Sequence, residues 1–210
     1  MGNDQVLAGG NPTHYVTGQN EKQRQLLEDQ EELDFALVAA DLVQWALNLN
    51  DLTVSRTLRH DQLFGYSSLL PVWTYQMFLE HVVPEDSARV DEDFQKSVAT
   101  GGTWSIECRI RRADREVRHI WVKGLVRRDD AGQADRMFGI IGDITDRRQA
   151  EERHAFQIRL FETLRSISEA TAVQAEASRM LGEYLGANRV VYFEITGDEY
   201  LIERDYTSGV

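Results

Sequence analysis

The chain has one cysteine and five histidines, and neither type falls in a spacing that builds a metal site or an activated nucleophile. Cys108 sits between Ile106 and Ile110 in an alternating run, so it reads as a small buried hydrophobe rather than a reactive thiolate. A lone cysteine closes no intrachain disulfide and supplies no zinc or iron–sulfur cage. No Ser/His/Asp or Cys/His constellation stands out, and no glycine-rich turn is arranged to cradle phosphate. One charge cluster is basic: Arg109, Arg111, Arg112, Arg115, Arg118, Arg127 and Arg128. On its own it would suggest an anion site. However, some of these arginines alternate with apolar positions, and Glu107 and Glu116 are available across the strands, which reads as a solvated sheet face. The aromatic residues Trp45, Phe64, Tyr66, Phe78, Trp104 and Trp121 read mainly as core. Some of them, with Ile106 and Cys108, are candidates to line a pocket between a sheet and helices.

Elements that could position these residues follow from periodicity. Leu26, Leu33, Leu37 and Ala40 share one side of a helix over 21–40, preceded by a tail over 1–20 with no periodicity. Val43–Leu49 alternates, and Asn50-Asp51 turns it into a second strand over 52–58. Short helical segments are expected over 60–65 and 73–83. Pro84-Glu85-Asp86 then opens a longer helix to about residue 98, with proline and two acids suited to the first turn. Trp104, Ile106, Cys108 and Ile110 alternate with Ser105, Glu107, Arg109 and Arg111, a strand with one dry and one wet face. Two more strands, 115–128 and 136–143, complete a meander. Thr145 is placed to cap a helix running from Asp146 into the 160s. Leu160, Leu164, Ile167 and Thr171 recur at coiled-coil-like steps, and a helix over 172–185 precedes a hairpin turning at Gly197-Asp198.

The 210 residues carry a net charge of −12 with 42% hydrophobic content, enough apolar material for a buried core. The negative charge disfavours nucleic acid and anionic membrane as partners. No run approaches about 18 apolar residues, and no secretory leader pattern opens the chain, so a cytoplasmic location is expected. Charge is densest at the start: residues 1–36 carry seven acids and two bases, while 37–146 carry 17 and 13.

Several local motifs in this order resemble a PAS domain of the aromatic-rich bacterial subclass, over about 33–146. They are Leu33-Asp34-Phe35-Ala36-Leu37 leading to Trp45, Leu63-Phe64-Gly65-Tyr66 and His81-Val82-Val83-Pro84-Glu85-Asp86. Then come Ile106–Arg112, Trp121 and, most specific, Gly139-Ile140-Ile141-Gly142-Asp143-Ile144-Thr145-Asp146-Arg147. One departure is Ala113-Asp114-Arg115, where the family usually turns on Asp-Gly. A tight turn there is costlier, and a longer or differently shaped loop is expected. Residues 161–210, chiefly Leu181–Glu194, resemble the first third of a GAF domain, and the PAS-then-GAF order resembles the sensory half of HWE-type histidine kinases.

The resemblance implies an α+β fold: a five-stranded antiparallel sheet with short helices on one face and N- and C-terminal signalling helices. The units expected are a tail (1–20), a helix (21–40), the PAS domain (41–146), a linker helix (147–170) and an incomplete GAF-like segment (171–210). It implies that Asp143 tethers the last strand and Thr145 fixes the start of the outgoing helix, together coupling sheet to helix. It also implies haem through His81 as an option, and flavin through an Asn-Cys-Arg motif. Many haem-free relatives carry a histidine at the position of His81, and the flavin motif is absent, so no cofactor is expected. His154 lacks the flanking residues of a phosphoacceptor. The function implied is a sensory module, homodimeric through its flanking helices, that responds to a small molecule or partner and signals to a kinase or other output domain. The alternatives are the N-terminal part of a histidine kinase, or a freestanding interaction module that regulates one.

Overall fold

The structure, a computed structural model, describes residues 12–196 and 199–208. It divides into two compact units, Met1–Ile144 and Thr145–Val210.

The first unit opens on helix α1 (Pro12–Ala39). The helix therefore starts well before Glu21 and takes in the second half of the stretch expected to be a tail; residues 1–11 lie outside the described residues. Pro12 suits a first helical position, where its missing amide hydrogen is no loss. Strands β1 (Leu42–Asn48) and β2 (Val54–Arg56) form the expected hairpin. Three helices follow: α2 (Leu58–Leu63), α3 (Tyr75–His81) and α4 (Pro84–Thr100). Thr74 caps α3, its hydroxyl accepting from the Met77 amide at 3.2 Å. Gly101 ends α4 at φ +70°, a left-handed conformation that favours glycine. Strands β3 (Thr103–Arg111), β4 (Val117–Arg128) and β5 (Ala134–Asp143) complete an antiparallel sheet in the order β2-β1-β5-β4-β3.

The β3–β4 connection is a three-residue loop, Ala113–Arg115, between Arg112 and Glu116, rather than a two-residue primed turn at Ala113-Asp114. The Arg112 amide donates to the Glu116 carbonyl at 2.9 Å, and Arg115 itself adopts the left-handed conformation at φ +73°. Asp114 helps to hold it, its carboxylate accepting from the Glu116 amide at 3.1 Å. The short turn is thus kept at the cost of a strained arginine.

The sheet buries one face against α2, α3 and α4. Val43, Trp45 and Leu47 of β1 share it with Trp104, Ile106, Cys108 and Ile110 of β3, Ile120 and Val122 of β4, and Met137 and Ile141 of β5. Asp86 fastens the start of α4 to β3. Its carboxylate accepts from the Arg109 backbone amide at 2.8 Å and from the Arg109 guanidinium at 2.9 and 3.1 Å, which holds it below the usual carboxylate range.

The second unit comprises α5 (Thr145–Arg165), α6 (Ala170–Leu185) and an antiparallel pair, β6 (Arg189–Thr196) and β7 (Glu199–Thr207). The seam expected through Leu160, Leu164, Ile167 and Thr171 is interrupted, because α5 ends at Arg165. The Phe156 and Tyr184 rings stack at 3.9 Å between α5 and α6. Gly182 leaves room for the Tyr206 ring of β7, which any Cβ there would strike. The turn expected at Gly197-Asp198 lies outside the described residues.

Candidate functional site

The centre of the buried face is a row of four residues running straight across four strands. Trp45 of β1 faces Gly139 of β5, Gly139 faces Gly124 of β4, and Gly124 faces Trp104 of β3. The two glycines form a bare strip, and the Trp45 indole lies over both of them. A Cβ on Gly139 would stand 2.3 Å from the Trp45 ring and from the Lys123 carbonyl oxygen; one on Gly124 would stand 2.8 Å from Trp45. The indoles meet edge to face, with ring centroids 6.1 Å apart.

Beside this row lies a cavity of about 30 Å³ whose walls include Trp45, Trp104, Tyr75, Phe78, Trp73 and His60. That is room for about one water molecule. The Nε1 donors of Trp45 and Trp104, two of the residues that line the cavity, are both buried without a protein acceptor. Ligand pockets for organic cofactors span about 300–1,000 Å³, so neither a flavin nor a haem fits among these side chains as they stand.

A buried ion pair stands behind the cavity. Asp61 is wholly inaccessible, and its carboxylate accepts from Arg56 Nε at 2.7 Å and Nη2 at 3.1 Å. It also accepts from the Leu70 amide at 2.7 Å, and Arg56 donates in turn to the Leu70 carbonyl at 2.8 Å. Desolvation pushes the Asp61 carboxyl up, but these hydrogen bonds outweigh it and hold it low. His60 Nδ1 lies 3.1 Å from the same carboxylate. Burial drives its pKa down to about 4, so the imidazole is neutral at pH 7. The Arg56 guanidinium lies 5.6 Å from the centre of the Trp73 ring. Nothing in the sequence reading singled out these three residues. An arginine and an aspartate five positions apart look like ordinary surface charges until the fold closes over them.

The predicted pocket residues separate. Trp45 and Phe78 line the cavity, whereas Phe64 and Tyr66 belong to an adjoining aromatic cluster with Trp73 and His81. Ile106 and Cys108 share the buried face one and two rows farther along, outside the cavity wall. Burial pushes the Cys108 thiol up to about 12, which leaves it unreactive. Trp121 faces the other way. Its neighbours Ile120 and Val122 point into the core, so strand alternation places Trp121 on the outer face, and it is not a cavity residue. His81 has both ring nitrogens engaged, Nδ1 donating to the Arg111 carbonyl at 2.7 Å and Nε2 accepting from the Tyr66 hydroxyl at 3.1 Å. Binding iron would require breaking one of these. Among the described residues, no three histidines, cysteines or acids are grouped to hold a metal.

Asp143 ends β5, and its carboxylate accepts from Arg118 of β4 at 3.1 Å; Arg118 is shared with Glu116. Thr145, two residues on, is the buried first residue of α5. His154 lies exposed on α5. The basic cluster is largely neutralised: Arg109 pairs with Asp86, Arg112 with Asp114 and Glu116, and Arg127 with Asp135.

An aromatic-lined interior between a five-stranded antiparallel sheet and short helices, with a helix leaving the last strand, agrees with the family comparison, in which residues 54–141 match the model of the PAS fold. This stretch is a PAS domain. A blue-light-activated histidine kinase of Brucella anthropi is 29% identical over 143 residues, which cover 66% of this chain and 27% of the relative. Sensor protein FixL of Bradyrhizobium diazoefficiens is 30% identical over 111 residues, 53% of this chain and 20% of that protein. Among solved structures, a sensory box histidine kinase/response regulator from Burkholderia thailandensis superposes with a TM-score of 0.53 at 26% identity. It covers 64% of this chain and 98% of its own. The chain thus spans about a quarter or less of the length of these curated relatives. The PAS domain is similar to part of a histidine kinase and to part of a sensor protein, which is consistent with a sensory module of signal transduction. No helix among the described residues is long and apolar enough to cross a membrane.

Proposed function

We propose that the PAS domain reports the state of its interior to an output domain through β5 and α5, within a dimer held by its flanking helices. The observation that carries this is the course of one strand. Gly139 of β5 lies under the Trp45 indole at the cavity, and four residues later Asp143 closes the same strand. Ile144 donates to the His119 carbonyl of β4 at 2.8 Å, and α5 begins at the next residue. A molecule that moves Trp45 presses on Gly139 and its partner strand, and the Asp143–Arg118 pair fixes how that shift reaches the start of the helix. The ligand must bind one arrangement better than the other to bias the balance. Its expected chemistry is small, largely apolar and able to accept a hydrogen bond from one or both indole N–H groups.

The output is a kinase, and the chain is then the sensory part of a histidine kinase whose phosphotransfer modules lie elsewhere. A histidine kinase and a sensor protein among the relatives support this reading. The α6–β6–β7 segment is the beginning of a GAF domain, and the order of modules suits the HWE type. The test is hydrogen exchange at the first turns of α5. Trp45→Phe enlarges the cavity and is expected to change exchange there at least severalfold; adding Asp143→Ala should abolish that response while the core stays protected. Exchange at α5 that ignores both substitutions would sink the reading. Mass spectrometry of small molecules retained on purification would identify the ligand.

A further inference from the structure

An ion pair kept from water is held at a cost, and well-packed apolar side chains of similar volume often serve stability as well or better. Arg56 and Asp61 are nevertheless buried, their side chains 6% and 0% exposed. What they do that apolar residues could not is grip a backbone.

The backbone they grip belongs to the connection between α2 and α3. Over 67–72 it lies outside any helix or strand. Ser67, Ser68, Leu69, Pro71 and Val72 are exposed, whereas Leu70 packs against the core. Both backbone groups of Leu70 are held, the amide donating to Asp61 at 2.7 Å and the carbonyl accepting from Arg56 at 2.8 Å. Among the described residues, these are the only hydrogen bonds that 67–72 makes. The flanks are fixed separately. The Tyr66 amide donates to the Asp61 carbonyl at 3.0 Å, and the Trp73 carbonyl accepts from the Val54 amide at 2.9 Å beside the Thr53–Thr74 bridge. The stretch is a strap with two anchored ends and one clasp in the middle.

The clasp also backs the cavity. On this side the wall is Trp73, which follows the strap, and His60, which precedes Asp61. Their rings meet edge to face with centroids 4.9 Å apart. The Arg56 guanidinium lies 5.6 Å from the centre of the Trp73 ring, and His60 Nδ1 lies 3.1 Å from Asp61. Freeing Leu70 therefore lifts the strap between its anchors and loosens both wall residues, with no helix or strand undone. Freeing it also returns Arg56 and Asp61 to water. Their recovered solvation offsets part of the lost hydrogen bonds, so a charged clasp opens more readily than an apolar plug.

We propose that 67–72 is a lid over the aromatic cavity, latched through Leu70 by Arg56 and Asp61, and that a small ligand enters by this route. The proposal rests on the reading above that the cavity takes a ligand, and it adds the way in.

The test uses water as the probe. The Nε1 protons of Trp45 and Trp104 are buried without a protein acceptor. No protein hydrogen bond has to break before they exchange, so their protection measures how water reaches the interior. Their exchange in the full chain is followed by NMR through a series of sub-denaturing urea concentrations. The expected result is almost no urea dependence, the mark of a local opening, while the amides of Val122 and Ile141 exchange with the full slope of unfolding. Pro71→Gly loosens the lid and leaves both charges in place. It should speed indole exchange about tenfold relative to those amides, which correct for any loss of global stability. Asp61→Asn removes the charge, keeps a carbonyl acceptor and should act in the same direction; if it does not fold, Pro71→Gly decides. Ala131→Gly, in the β4–β5 turn, should leave the ratio unchanged. Indoles that exchange with the urea slope of the core amides, or that ignore Pro71→Gly, overturn the lid. Neither result bears on the α5 response to Trp45→Phe, so the lid and the signalling route fail separately.

Discussion

The two faces of one sheet are built on opposite rules. The inner face is filled to the point where glycine is required: the Trp45 indole lies over Gly139 and Gly124, and an added methyl would collide with that ring, with the Lys123 carbonyl or with Met137. Its charges are buried only as an interlocked set, Arg56, Asp61 and His60. The outer face leaves Leu125 and Phe138 open, and its charges pair at the surface, as Arg127 does with Asp135. The same strands supply both faces by alternation, so each residue's side decides whether a change is felt as folding or as association. An interior packed this tightly is suited to detect a small displacement; an exterior this open is suited to accept a partner.

The contrast can be tested from its strongest consequence downward. Asp61→Ala leaves the Arg56 guanidinium buried without its carboxylate and should destabilise the domain by about 3–5 kcal/mol in urea unfolding. A variant near wild-type stability would show that the inner network is not buried in solution. Next is acid. The pKa of His60 is about 4 when folded, against an ordinary value near 6.5, so between these values the unfolded chain binds the extra proton. Stability contributed by His60 is therefore complete above about pH 6.5 and falls by roughly 3 kcal/mol as the pH drops through 4. The lowered Asp61 and Asp86 add losses of the same sign toward still lower pH. His60→Asn, which retains a donor but does not titrate, should flatten the profile between pH 4 and 6.5.

Two glycines of β5 offer a paired comparison. Gly139→Ala, on the inner face, meets the Trp45 ring and the Lys123 carbonyl and should cost about 1–3 kcal/mol, with a shift in tryptophan emission. At Gly142, on the opposite face, a Cβ meets the far end of the Leu42 side chain at 2.8 Å and the Asp41 carbonyl oxygen at an ordinary 3.5 Å. Gly142→Ala should stay within about 1 kcal/mol of wild type. Equal effects at the two positions would erase the distinction between the faces. Smallest is Arg115→Gly in the β3–β4 turn, which relieves a left-handed arginine and should stabilise by about 1 kcal/mol, read as a raised thermal midpoint.

Much of this was legible in the chain itself. The alternation of Trp104–Arg111 gave the dry and wet faces of β3, and Pro84-Glu85-Asp86 marked the start of α4. The side taken by Trp121 was also readable, since Ile120 and Val122 alternate against it. Gly124 and Gly139 lie inside strands, where glycine marks close approach, but nothing local says what approaches. The start of α1 was hidden because Pro12–Asn20 lacks an apolar period. The end of the seam after Leu164 was hidden because Ile167 and Thr171 kept the spacing past the end of α5.

The sequence by itself determined the elements, their order and the alternation of each strand, because these depend on steric preferences and burial patterns within a few residues. Only the tertiary structure decided the register that lays Trp45, Gly139, Gly124 and Trp104 in one row, the closure that turned Arg56 and Asp61 from nominal surface charges into a buried pair, and the side of the sheet left uncovered. Those outcomes depend on contacts between residues far apart in the chain, as Trp45 and Gly139 are at 94 positions. Such contacts exist only once the intervening helices have packed and excluded water.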